Sequence, residues 1–237
     1  MTVKPLRLSR WLAQLGYVET RREAEAFLDE FRVEIDGDPV ERGDVKCTPD
    51  RVTIDGEPMD AARLVILLNK PAGYVCSHED SGLRVYDLLP ERYRFRLPKL
   101  ITVGRLDKDT TGLLLLTDDG TLAHKLTHPR HHVPKVYEVT LEQPLKGAEA
   151  ALFAKGSLML EGETTPLQPA EMEVLGEKHA RLTLHEGRYH QVKRMFAATG
   201  NQVTALHRAQ QGGLTLGGLG EGEWRLLDAE DEALLFV

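Results

Sequence analysis

The chain has 237 residues, 41% of them hydrophobic, with a formal charge of −7 and only two cysteines, enough apolar mass for one large domain or two unequal ones. Cys47 and Cys76 lie far apart without a Cys-x-x-Cys pair, so neither a disulfide framework nor a zinc knuckle is expected, and a reduced cytoplasm fits. Met1 to Arg7 lacks the apolar core of a signal peptide, and Leu64 to Leu68 is too short to span a bilayer, which argues against export or a membrane.

From the N-terminus, Leu8, Trp11, Leu12 and Leu15 fall at helical spacing and Gly16 ends that helix. A second helix carrying Ala24, Phe27 and Leu28 is predicted after Thr20 as its N-cap. Val33 to Gly37 and Val52 to Gly56 alternate and end in Asp-Gly, as short strands with tight turns do. This helix-helix-strand-strand order, with Arg7, Arg21, Arg22 and Arg32 on its surface, resembles the S4 RNA-binding domain and sets a first domain at residues 1–60. Two features depart from that pattern: residues 1–62 carry nine Lys/Arg against fourteen Asp/Glu, and Phe31 stands where that family often has Gly.

The second domain, residues 61–237, opens with Leu64 to Leu68, a continuous apolar run predicted to be a buried strand. Asn69 to Gly73 is predicted to turn the chain into a return strand, Tyr74 to Ser77. In Gly104 to Gly120, charged residues and two glycines surround the apolar run Leu113 to Leu116, predicted as a buried strand between Gly112 and a positive-φ turn at Asp119-Gly120. Val136 to Leu141 and Ala180 to His185 alternate as half-buried strands. A helix from about Tyr189 to Thr199 is predicted to bury Val192, Met195, Phe196 and Thr199 and to turn His190, Lys193, Arg194 and Ala197 the other way. The fold class is therefore α+β, a mixed, largely antiparallel sheet flanked by helices, with no nucleotide-binding glycine loop.

The negative charge argues against a nucleic-acid partner until its distribution is considered. Residues 84–108 carry seven Lys/Arg against three acids, residues 178–208 six against one, and residues 124–136 three with none. The acid is concentrated in the tail from Glu221 to Val237. Three basic segments on an acidic body suggest a local RNA groove.

The Arg105-Leu106-Asp107 loop resembles the signature of the RsuA/Rlu class of RNA pseudouridine synthases. Four further segments follow the same family in order: Lys70 to Ser77, Pro129 to Tyr137, Glu186 to Phe196, and Leu206 to Arg208 with Gly212 to Leu216. The variants at Tyr137 and at His190 to Met195 look most like RsuA, the branch acting on small-subunit RNA. The resemblance implies the pseudouridine synthase fold and isomerisation of one uridine of 16S ribosomal RNA, with Asp107 as nucleophile. It supplies Lys193 as the cation beside that carboxylate, with Arg194 as the fallback, and sets Tyr137 stacking on the flipped uracil. Arg105 fills the vacated position or grips a phosphate, Leu206 packs on the other base face, and His190, Arg194 and Arg130 contact substrate.

Residue chemistry is consistent with those implications, since a nucleophilic carboxylate must be ionised yet poorly solvated and a neighbouring cation keeps it charged. His124, His128, His131 and His132 lack the Glu of a zinc hydrolase helix, so no metal is expected, and the reaction that the resemblance implies needs no cofactor. Asp107 and Asp109 also admit a glycosidase-like carboxylate pair, but the family motif gives Asp109 no catalytic role. The expected partner is ribosomal RNA or a pre-ribosomal particle, met in the cytoplasm by a monomer. The rivals are a sister enzyme acting on large-subunit 23S RNA and a non-catalytic S4-type assembly factor.

Overall fold

The computed structural model describes residues 3–237 and divides into two compact units. One comprises the chain up to Val65 with Leu89–Ile101 and Thr117–Gly120; the other comprises Ile66–Leu88, Thr102–Leu116 and Thr121–Val237.

In the first unit, helices Leu8–Gln14 and Ala24–Glu30 precede a four-stranded sheet ordered Asp38–Pro39, Val33–Ile35, Val52–Ile54, Glu57–Pro58. The helical spacing of Leu8, Trp11, Leu12 and Leu15 places all four in one core with Val33, Cys47 and Val52. Trp11 Nε1 donates to the Cys47 carbonyl at 2.9 Å, satisfying the indole's one polar group. Both Asp-Gly pairs adopt positive φ at each residue, the two-residue hairpin turn those dipeptides favour. Thr20 behaves differently from its expected role: its hydroxyl donates to Glu23 Oε1 at 2.8 Å, and the 3-10 turn Arg21–Glu23 intervenes before the helix. Within the same unit Arg96 and Asp118 form a buried ion pair at 2.7 Å, the aspartate also accepting from the Leu64 amide.

The second unit is built on a nine-stranded mixed sheet. Its main path runs Glu171–Gly176, His179–Leu184, Lys135–Leu141, Val203–Gln211, Thr111–Thr117, Val65–Lys70, Trp224–Leu226. Antiparallel ladders dominate, but Val203–Gln211 pairs in parallel with Thr111–Thr117, setting His207 opposite Thr111 and Arg208 opposite Gly112. Helices Glu149–Ala154 and Gln191–Ala198 contribute Phe153 and Phe196, in edge-to-face contact, to a core with Val139, Leu182, Met195 and Leu206. The strand Val65–Lys70 is buried at every residue, as a wholly apolar start requires.

Three local expectations fail. Asn69 and Lys70 continue the strand instead of turning it, and Tyr74 to Ser77 is not a strand: Val75 makes one isolated bridge to Arg84, because its backbone bonds go to Leu83 and Val85. Gly120 begins the helix Gly120–Thr127 without positive φ, since Thr117 Oγ1 accepts from the Asp119 amide and leads the chain directly into helix. The helix expected from Tyr189 starts at Gln191, with His190 left-handed at φ 48° before it.

Candidate active site

The loop bearing Asp107 is held by its backbone. Lys70, fully buried at the end of its strand, donates from Nζ to the carbonyls of Thr110 at 2.8 Å, Pro71 at 3.0 Å and Lys108 at 3.2 Å. Burial lowers its pKa, and three carbonyl acceptors replace the water it lost. The Gly73 amide donates to the Lys108 carbonyl at 2.7 Å, closing the loop from the other side. Gly112, where the loop enters its strand, has φ 101°, and a Cβ there would lie 2.3 Å from the Arg208 carbonyl oxygen. Glycine is therefore required both by conformation and by the parallel neighbour.

The opposing wall is the turn into the helix Gln191–Ala198. Arg188 pairs with Glu186 and Glu163, each at 3.1 Å, while Gln191 bonds Glu186 and the Arg188 amide, each at 2.9 Å. That network fixes His190 and Lys193 over the loop. Lys193 Nζ lies 3.0 Å from Asp107 Oδ2 and 2.6 Å from Asp109 Oδ1, and His190 Nε2 lies 3.2 Å from Asp107 Oδ1. Partial burial disfavours the ammonium, but its hydrogen bonds to Asp109 and Asp107 outweigh this and raise its pKa. The hydrogen bond from Lys193 in turn holds Asp109 below the usual carboxylate range.

A cavity of about 200 Å³ opens beside this cluster, and Asp107, Arg105, Tyr137, His190, Lys193 and Leu206 all line it. Sequence-distant segments thus converge on one hollow. Tyr137 is half-buried against the core, Leu206 is almost wholly buried, and Arg105 is exposed with no ion pair among the described residues. Arg194 turns away: it pairs with Glu163 at 2.8 Å and donates to the Tyr189 carbonyl at 3.1 Å. Arg130 sits exposed on the turn Pro129–His131, outside the lining residues.

The basic segments are less available than their charge count suggests. Arg84 pairs with Asp87, Arg92 with Asp60, Arg181 with Glu173 and Glu138, and Arg96 and Arg208 are buried. Exposed Lys99, Arg105, Lys108, Arg130 and Lys178 have no ion pair among the described residues. In the first unit Arg7, Arg21 and Arg22 are exposed, but Arg32 is tied to Glu34 at 2.6 Å.

Sequence reasoning missed the parts played here by Lys70 and Asp109. Lys70 carried a signal, a lysine ending a wholly apolar run, whereas the sharing of Lys193 between two aspartates is visible only once the helix is folded over the loop.

A family profile described as RNA pseudouridylate synthase matches residues 64–198, and one for the S4 domain matches residues 6–52. The chain is similar to proteins named ribosomal small subunit pseudouridine synthase A. It is 43% identical to that of Pasteurella multocida, covering 96% of this chain and 98% of the relative. With those of Yersinia pestis and Escherichia coli K12 it shares 46% and 45%, over 96% of this chain and 97% and 99% of theirs. A crystal structure described as a pseudouridylate synthase superposes with a TM-score of 0.68 at 40% identity, covering 97% of this chain and 99% of the other.

Proposed function

The chain belongs to the RNA pseudouridylate synthase family, and from that premise we propose that it isomerises one uridine of small-subunit 16S ribosomal RNA, with Asp107 as nucleophile acting on a flipped-out base. The reaction breaks the bond between uracil N1 and ribose C1′, turns the free base and joins C5 to the same carbon. A proton leaves C5 and one is gained at N1, so no oxidant or phosphoryl donor is consumed. Each route that starts at the sugar or the base needs an ionised carboxylate first.

The observation that carries this reading is the contact of Lys193 with Asp107 at 3.0 Å beside the cavity. An ammonium there favours the charged carboxylate where water is partly excluded. Tyr137 offers the extruded uracil a ring face and Leu206 an apolar one, while Arg105 is free to enter the gap left in the RNA stack or to take a phosphate. His190 acts here on Asp107, and Arg194, bound to Glu163, supports the helix. The S4-like module, residues 1–60, brings Arg7, Arg21 and Arg22 to RNA, and the catalytic domain, residues 61–237, does the chemistry. The protein works in this reading as a cofactor-free cytoplasmic monomer on ribosomal RNA or a pre-ribosomal particle. The small-subunit choice follows the names of its full-length relatives.

The test is to map pseudouridine in ribosomal RNA from cells lacking the gene, then restore the wild type or Asp107→Asn. One small-subunit site should disappear and return only with the wild type. Loss of a large-subunit site instead, or return with Asp107→Asn, would refute the assignment.

A further inference from the structure

Besides the exposed Arg105, two cations line the cavity without a carboxylate partner among the described residues. Lys135 and Arg208 both face it, and among the described residues neither forms an ion pair. Arg208 is 2% exposed; its Nε donates to the Leu113 carbonyl at 2.6 Å, but Nη2 has no hydrogen-bond partner. Lys135 Nζ donates to the Val133 carbonyl at 3.1 Å, leaving donor capacity unused. Burial first, and the Arg208 charge second, push the Lys135 pKa down to about 8. Thr110, 1% exposed, lines the same cavity with its hydroxyl unpartnered.

Leaving such groups unsatisfied is costly unless a ligand completes them. Uracil presents an acceptor at O4, a donor at N3 and an acceptor at O2. Cytosine replaces the O4 acceptor with an amino donor, which two cations would repel. Resting on the reading that the cavity receives an extruded uridine, we infer that Lys135 and Arg208 form the uracil-reading pair, Lys135 donating to O4 and the buried Arg208 charge behind it helping to reject the cytosine amino group. Tyr137 and Leu206 grip either pyrimidine by its faces, so discrimination falls to these polar groups.

The intact protein and its Lys135→Met and Lys135→Arg variants would be titrated with UMP and with CMP, followed by chemical shifts of the cavity residues. The wild type should favour UMP by roughly tenfold or more, the usual effect of a hydrogen bond to a charged group. Lys135→Met should lose most of that preference by weakening UMP alone, and Lys135→Arg should recover part of it. Because Lys135→Met also relieves the repulsion with Arg208, its Tm should hold or rise; a structural lysine would lower it. Equal binding of UMP and CMP by the wild type, or unchanged preference in Lys135→Met, overturns the inference. Pseudouridine formation by the wild type is scored separately: activity without selective UMP binding sinks only the reading pair, and selective binding without activity sinks only the proposed function.

Discussion

Replacing Lys193 by Met removes the ammonium from between Asp107 and Asp109 and leaves a side chain of similar length. At 3.0 Å and an effective dielectric near 20, the Coulomb attraction to Asp107 is about 5 kcal/mol. The two side chains are 25% and 29% exposed, so solvent screening reduces it, and His190 remains on the other carboxylate oxygen. A net loss of about 1.5–3 kcal/mol follows, roughly ten- to a hundredfold in kcat. KM should change little, because the pair is internal to the protein. The same contact also gives stability a pH dependence. In the wild type the sign is set by two shifts: Asp109 is depressed and Lys193 raised. Stability from that contact is therefore full above the ordinary carboxylate range, fades as pH falls through the Asp109 value, and persists through the ordinary lysine range. Lys193→Arg should keep more activity. Steady-state kinetics over a pH series on a small-subunit transcript provide the assay. Wild-type turnover in Lys193→Met together with failure of Arg194→Met would refute the reasoning, since Arg194 is bound to Glu163.

Asp107→Asn and Asp107→Ala should each abolish pseudouridine formation while leaving Tm and RNA affinity nearly intact; substantial turnover by either purified variant would remove Asp107 from the chemistry. Arg96→Met should destabilise the first unit by about 3–5 kcal/mol in denaturant unfolding, because it strands Asp118 as a buried charge; a loss below 1 kcal/mol would show that water relieves that carboxylate. Arg21→Glu with Arg22→Glu should weaken RNA binding and flatten its salt dependence, whereas Arg32→Ala, already bound to Glu34, should do neither. Equal effects of the two changes in filter binding over a salt series would contradict this division of the arginines.

What could be read from the sequence was whatever depends on short-range pattern. Leu8 to Leu15 and Val192 to Phe196 bury the faces their spacing marks, and the two Asp-Gly hairpins adopt the backbone those residues favour. Tyr74 to Ser77 had the composition of a strand, yet a strand needs a neighbour along its whole length, and that neighbour is a property of topology. The charge count overstates free charge for the same reason. Arg84, Arg92, Arg96 and Arg188 raise the positive sum of their segments, but each meets an acid within its own compact unit, some of them distant in sequence. Local charge is thus a poor guide to free charge wherever folding brings its partner. The apolar bed beside Asp107 is different, because nearby residues supply it: Leu106 and the Leu113 to Leu116 run provide burial, and Gly112 provides the bend. The ammonium completing it comes from a helix far along the chain, and its identity, Lys193 and not Arg194, is decided by one step of helical rotation. Glu163 takes the arginine and leaves the lysine to the two aspartates. One such step, about 100° around the helix, separates a group that contacts both aspartates of the loop from one that anchors the helix carrying it.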